Sequence, residues 1–244
     1  MNTTKLDQDI IDSVELMTAK GNRLELPTEQ ISNYAQVKKR LIQAGGKYSK
    51  NGFTFPTDAA AIKARLVGGE DINDKKKYQF FATPSDLAKK LVDMADVTEN
   101  CHALEPSAGR GAIASILKER ALTVSVVEIM PTNVECLKDD YTTYEQDFLT
   151  LTEEEIGLFD RIVANPPFTK NQDIDHVMHM YSLLKDGGKL VSITSKSWTF
   201  GSQNKQKLFR TWLDEVGGEV TEVPEGAFKE SGTNIATLII EITK

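Results

Sequence analysis

Asn165-Pro166-Pro167-Phe168 sets an amide side chain, two ring-locked residues and an aromatic ring in one short stretch. Arg161-Ile162-Val163-Ala164 before it reads as a buried strand, and two prolines can neither continue a central strand nor open a helix freely. The second proline also holds the residue before it extended, so the chain makes a stiff turn just past a strand end. An amide oxygen and a proline carbonyl can accept both hydrogens of a planar amino group while the ring stacks on the plane that carries it. That is chemistry for holding and activating an –NH2 on a nucleobase or an amide. The same tetrapeptide also reads as a strand-ending turn over a buried Phe, so the surrounding chain has to decide.

Three further groups bear on that choice. Leu104-Glu105-Pro106-Ser107-Ala108-Gly109-Arg110-Gly111 follows a short strand and opens a helix. Its small residues let backbone approach a ligand, and the helix start offers free N–H groups. It is shorter than a dinucleotide fingerprint, and Glu105 would repel a pyrophosphate, so a ligand carrying an ammonium or sulfonium suits it better. Glu128 ends a second strand about 20 residues after that turn, where a carboxylate reaches ribose hydroxyls. Asp147-Phe148 ends a third, where an acid accepts from an adenine amino group and a ring flanks it. Each acid alone is an ordinary strand-end residue. Three at successive strand ends facing one side make a nucleoside site.

These groups need a scaffold, and the pattern from Tyr78 onward supplies an alternation of helix and strand, as a doubly wound sheet requires. Thr83 caps a helix running to Met94 with Pro84 at its first position. Strands are expected at Cys101–Glu105, Thr123–Glu128, Thr143–Asp147, Arg161–Asn165 and Lys189–Thr194, with a closing antiparallel pair at Val220–Val223 and Asn234–Ile242. Helices fall at Gly111–Arg120, Asn133–Asp139, Asp173–Leu184 and Lys205–Val216. The Arg161–Asn165 strand should lie beside the first, across the reversal of winding, so that Asn165 faces Glu105 and Gly109. Residues 1–77 read as a separate small α+β region: helices at Leu6–Lys20, Ser32–Ala44 and Ala59–Leu66, a hairpin at Tyr48–Phe55, and a polar linker from Gly68 to Lys77. Residues 78–244 form the main domain.

Taken in order, Phe81-Ala82-Thr83-Pro84, the Glu105–Gly111 turn, Glu128, Asp147-Phe148 and Asn165-Pro166-Pro167-Phe168 resemble the motifs of S-adenosylmethionine-dependent adenine-N6 DNA methyltransferases. The order is similar to that of the gamma class, which includes type I modification subunits and small phage and plasmid enzymes. The resemblance implies an α/β, Rossmann-like class I methyltransferase fold with a seven-stranded mixed sheet and a C-terminal antiparallel hairpin. It implies S-adenosyl-L-methionine as cofactor, bordered by Phe81, Thr83 and Pro84 and floored by Glu105, Pro106, Ser107, Gly109 and Gly111. Glu128 with Ile129 would take the ribose side, and Asp147 and Phe148 the adenine. Asn165, which would also touch the cofactor, and the Pro166 carbonyl would hold the target amino group, with Pro167 fixing the turn and Phe168 stacking on a flipped-out base. Transfer would be a direct in-line displacement. An RNA adenine or a protein glutamine amide would present the same –NH2, and a non-catalytic cofactor- or DNA-binding module is the rival of another class.

Composition is that of a soluble globular chain of 244 residues, 40% hydrophobic, with no apolar run of membrane-spanning length. Cys101 and Cys136 lack metal-ligand spacing, so neither metal nor disulfide is expected, and the N-terminus fits neither a secretory signal nor a transit peptide; a reduced cytoplasmic compartment follows. The net charge of −7 is uneven. Gln36 to Lys90 holds twelve basic and five acidic residues, which leaves −14 for the rest. Lys38, Lys39, Arg40, Lys47, Lys50 and Lys75, Lys76, Lys77 are therefore the expected DNA-facing wall, and Lys196 and Trp198 in the Ser195–Lys207 loop a second one. Duplex DNA is the expected partner, together with a specificity subunit or a second copy, because no separate target-recognition domain is evident.

Overall fold

The computed structural model describes residues 6–70, 72, 82–224, 226–228 and 236–244. It divides into two compact units, Met1–Phe80 and Phe81–Lys244, where the sequence pattern puts the division after Lys77. Phe81 and Lys75, Lys76 and Lys77 lie outside the described residues.

In the first unit, α1 (Gln8–Glu15) buries Ile10, Ile11 and Val14, a one-sided apolar stripe. The helix stops at Glu15 rather than at Lys20. Thr18–Lys20 (β1) instead pairs antiparallel with Arg23–Glu25 (β2), because Gly21 at φ 56° turns the chain and Leu24 adds a fully buried core residue. Tyr34–Gln43 (α2) begins after Asn33, whose amide donates to the Asp9 carbonyl and accepts from Ser13. The hairpin β3 (Lys47–Ser49) and β4 (Gly52–Thr54) turns on Lys50 and Asn51, both at positive φ, so the tight turn sits one residue earlier than Asn-Gly suggests. Gly52 is needed in the strand itself, since a Cβ there would stand 2.7 Å from the Leu24 carbonyl. Arg23 clasps this turn, donating to Ser49 Oγ at 2.9 Å and to the Ser49 carbonyl at 2.6 Å. The sheet order is β1-β2-β4-β3, and α3 (Ala59–Val67) adds Ile62 and Leu66 to a core around Phe53.

The second unit is a seven-stranded sheet in the order β10-β11-β9-β8-β5-β6-β7. Its strands are β5 (His102–Pro106), β6 (Thr123–Val127), β7 (Thr142–Tyr144), β8 (Phe159–Ala164), β9 (Leu184–Ser195), β10 (Glu219–Glu222) and β11 (Thr237–Thr243). β5 to β9 are mutually parallel, and β11 runs antiparallel between β9 and β10. Both faces are covered, as a central parallel sheet requires. Ile162 and Ala164 pack on one face with α8 (Gln172–Ser182) and α10 (Asn204–Glu215); Val163 packs on the other with α4 (Ser85–Met94) and α5 (Ala112–Lys118). Short helices α6 (Pro131–Val134), α7 (Glu153–Ile156) and α9 (Ser197–Phe200) fill connections. β7 stops at Tyr144, short of the expected Asp147, and β9 begins at Leu184, so Asp186-Gly187-Gly188 is an irregularity within a strand rather than a helix end. No helix among the described residues is long and apolar enough to cross a membrane.

Candidate active site

Sheet order fixes the site. The winding reverses between β5 and β8, which pair in parallel with Ala103 opposite Arg161 and Leu104 opposite Ile162. Continuing that register sets Ser107 level with Asn165, so the Gly-rich turn and the Asn-Pro-Pro-Phe turn leave the sheet side by side at its carboxyl edge, where ligands of open α/β sheets bind.

The Gly-rich turn is held from below by two acids. Ser107, Gly109 and Gly111 all adopt positive φ (63°, 58° and 76°), which lets successive peptide units double back before α5. Glu128 accepts from the Gly109 N–H at 2.6 Å with one carboxylate oxygen and from the Met130 N–H at 2.7 Å with the other. Glu105 accepts from the Ala114 N–H at 2.6 Å, satisfying a buried donor in the first turn of α5. Burial pushes the pKa of Glu105 well above the ordinary carboxylate range, and the nearby Glu128 charge adds to this; burial raises Glu128 as well. Glu105 is 2% exposed. It does not present a carboxylate to a cationic ligand, as its sequence position suggests, but supports the turn from inside.

Asn165 is half-buried, and its Nδ2 donates to Thr83 Oγ1 at 3.1 Å. Thr83 therefore does not cap α4: that helix starts after Pro84, with no side-chain cap, and the hydroxyl meets the amide instead. Pro166 is buried, Pro167 and Phe168 half-buried, and Phe168 rests against the core on the α4 side. The chain then passes through Lys170 and Asn171, both left-handed at φ 57° and 58°.

Asp147 is exposed and caps a 3-10 turn, accepting from the Leu149 N–H at 3.0 Å. Phe148, expected to flank an adenine with its ring, is 3% exposed; the ring packs 5.3 Å from His176 and 4.7 Å from His179. This corrects its expected role, since core packing takes the ring away from a ligand. Ile129 is 45% exposed beside Glu128 and offers the open apolar surface that Phe148 does not. His176 was not singled out by the sequence. It is buried on α8, its Nδ1 shares a 3.4 Å hydrogen bond with Ser107 Oγ, and burial lowers its pKa to about 4. The signal available was a polar residue on an apolar stripe: Asp173, His176, Val177 and Met180 share one buried face.

The two basic clusters fare differently. In the first unit Lys38, Lys39 and Arg40 lie on α2, and Lys47 and Lys50 on β3 and its turn; the Lys38 ammonium stands 4.8 Å from the Tyr48 ring centroid, joining helix to hairpin. In the second unit Lys196 pairs with Glu222. Trp198, expected on the nucleic-acid side, is 4% exposed, donates to Thr194 Oγ1 at 3.0 Å and packs edge-on to Phe209. It is core, because only burial lets its large ring fill the space between β9 and α10. Among the described residues no cluster of His, Cys, Asp and Glu could hold a metal ion.

No protein-family model matches the chain. Among solved structures it superposes on the modification subunit of a proposed type I restriction enzyme from Vibrio vulnificus (TM-score 0.58, 14% identity, 75% of this chain and 48% of that one). It also superposes on a proposed RNA methyltransferase from Pyrococcus horikoshii (TM-score 0.52, 17% identity, 68% and 86%). The chain has the Rossmann-like methyltransferase fold. Curated relatives are ribosomal RNA small subunit methyltransferase A from Chlorobium phaeobacteroides, 31% identical over 100 residues (39% of this chain, 38% of that protein). The same-named protein from Syntrophus aciditrophicus is 28% identical over 122 residues (45% and 44%). The matched stretch thus spans less than half the length of either relative.

Proposed function

We propose that the chain is an S-adenosyl-L-methionine-dependent N-methyltransferase that modifies the exocyclic amino group of adenine in a nucleic acid. The observation that carries this is the side-by-side exit of the Gly-rich turn and the Asn165-Pro166-Pro167-Phe168 turn across the winding reversal, with Thr83 bonded to Asn165. The residues present fit the cofactor. Alternate left-handed positions at Ser107, Gly109 and Gly111 open the backbone there, Glu128 has a second lone pair on each oxygen for ribose hydroxyls, and Ile129 offers an apolar face for a purine. When bound, the cofactor supplies an electrophilic methyl group on a sulfonium.

The protein's own contribution is to the nitrogen. An adenine N6 lone pair is delocalised into the ring and is a poor nucleophile. Thr83 accepting from Asn165 Nδ2 orients the amide so that Oδ1 lies on the side away from Thr83, where it can accept from the target amino group. Together with the Pro166 carbonyl it stabilises the positive charge that develops as the nitrogen becomes pyramidal, and Phe168 steadies the base. A paired base would have to leave the stack to reach this turn.

RNA is the favoured substrate. The curated relatives are named as ribosomal RNA methyltransferases, and that outweighs the order of motifs that suggests DNA. DNA is the second reading, supported by the likeness to a modification subunit. The basic face of the first unit suits either polyanion. Methyl transfer from labelled cofactor to ribosomal RNA, duplex DNA and protein, with wild type and Asn165→Ala, tests the proposal. Label in N6-methyladenine of RNA that vanishes with Asn165→Ala is expected. A wild type that binds cofactor and labels none of the three overturns it.

A further inference from the structure

We propose that Phe200 is a stacking platform for an unpaired nucleotide next to the target base, with Lys170 and Lys207 meeting the adjoining phosphates. This rests on the reading of the site as a nucleic-acid methyltransferase and adds where the flanking strand runs.

α9 leaves the carboxyl end of β9, the strand beside β8, and ends at Phe200. Its two aromatics part company: Trp198 is 4% exposed and Phe200 is 76% exposed. A lone exposed Phe is unremarkable on a protein surface. What distinguishes this one is the backbone that carries it. Arg210 donates to the carbonyls of Trp198 and Gly201 on either side of the ring, the latter at 3.1 Å. Gln206, 6% exposed, lies so close to Gly201 that a Cβ there would sit 1.8 Å from its Oε1. The chain is fixed and the ring is left outside.

The same cluster grips the loop that follows the Asn-Pro-Pro-Phe turn. Asn171 Nδ2 donates to Gln203 Oε1 at 2.9 Å, and Gln206 Nε2 donates to Asn171 Oδ1 at 3.1 Å. These bonds fix the Asn171 side chain where the chain runs through left-handed backbone at Lys170 and Asn171, a conformation non-glycine residues seldom adopt. Three amides thus cross-link the loop after Phe168 to the segment presenting Phe200, which ties that ring to the chain leaving the Asn-Pro-Pro-Phe turn. Lys170 and Lys207 are exposed on the two linked segments. In a chain of net charge −7, exposed cations on segments tied to an exposed aromatic ring match a single strand, whose phosphates and bases need those two chemistries.

Binding of a labelled short oligoadenylate, in ribose and deoxyribose forms, to the full-length chain tests this by anisotropy. Phe200→Ala should weaken binding roughly tenfold, the effect of losing one base–aromatic stack, and Phe200→Trp should restore it. Lys170→Ala should lower the slope of log affinity against log salt by about 1. Cofactor affinity should be unchanged in all three. The tighter of the two oligonucleotides identifies the sugar preferred. Wild-type affinity in Phe200→Ala, within about twofold, overturns the inference while leaving methylation of the same oligonucleotide to uphold the enzyme reading. Loss of cofactor binding alongside the oligonucleotide would make Phe200 a folding residue and also overturn it. A wild type that neither binds nor methylates either form sinks both readings.

Discussion

At the carboxyl ends of β5 and β6 the charged side chains meet the protein's own backbone, whereas at the end of β8 the polar side chain meets another side chain. Glu105 and Glu128 are almost wholly buried, and their oxygens accept from Ala114, Gly109 and Met130 N–H groups. Asn165 is half-buried, and its Nδ2 donates to the Thr83 hydroxyl. The first arrangement braces a left-handed glycine backbone from inside; the second orients a polar side chain through a hydroxyl. Acids that read as ligand contacts also brace the backbone, and a threonine that reads as a helix cap instead accepts from the Asn165 amide. Burial is what separates the two: in a low-dielectric interior an unpaired carboxylate is so costly that the nearest N–H groups claim it.

Substitution at each side should separate the roles. Asn165→Ala should lower kcat by roughly 10²–10³, the usual loss for one preorganised group at a developing charge, while cofactor affinity and melting temperature stay put. Calorimetry of cofactor binding beside single-turnover rates reads this directly. A parallel fall in affinity would erase the contrast. Glu128→Ala should do the reverse. Two buried N–H groups lose their acceptor, which at about 1–3 kcal/mol each predicts a clear drop in melting temperature and at least tenfold weaker cofactor binding. Retained stability would place Glu128 among the ligand contacts only.

Much of this layout was legible before any coordinates. The seven strands, the antiparallel closing pair and the adjacency of β5 and β8 follow from apolar runs separated by glycine and by turn residues, because a buried parallel strand has little choice of sequence. The β1–β2 hairpin was hidden: Thr18-Ala19-Lys20 continues the polar side of a helix, and only pairing with Arg23–Glu25, itself paired with the strand of Phe53, makes it a strand. The inward turn of Phe148 and Trp198 was equally hidden. Alternation along a strand shows which residues face the core, but both lie just beyond strand ends, where direction depends on which helix packs above. The Thr83–Asn165 bond joins positions far apart in the chain, and nothing local announces it.

His176 links the Gly-rich turn, through Ser107, to the buried Phe148 ring. Burial lowers its pKa from 6.5 to about 4, against the opposing pull of Asp147 and Asp175. For a group depressed in the folded state, the contribution to stability is complete above pH 6.5 and is lost as pH falls through about 4. The shift sets a ceiling of about 3 kcal/mol on that loss. His176→Gln keeps a polar partner for Ser107 and cannot titrate. Wild type should therefore lose stability relative to His176→Gln between pH 6.5 and 4, and denaturation curves at stepped pH would show it. Parallel curves for the two proteins would mean that His176 is accessible to protons in the native state.

The smallest expected effect falls on Thr83. Removing its hydroxyl as Thr83→Val leaves the shape intact and deletes one neutral hydrogen bond, worth about 0.5–1.5 kcal/mol, so kcat should fall only about two- to tenfold. The value of the experiment lies in where the loss appears. A residue that merely borders the cofactor would raise the KM for cofactor and spare kcat; one that orients Asn165 would lower kcat and spare that KM. Thr83→Ser, which keeps the oxygen, should recover most of the rate. In an Asn165→Ala background Thr83→Val should cost nothing further, because the amide it orients is gone. Additive losses in the double variant would mean that the hydroxyl acts on the ligand itself, and the division between a scaffolded cofactor floor and an oriented amide would then have to be redrawn at Thr83.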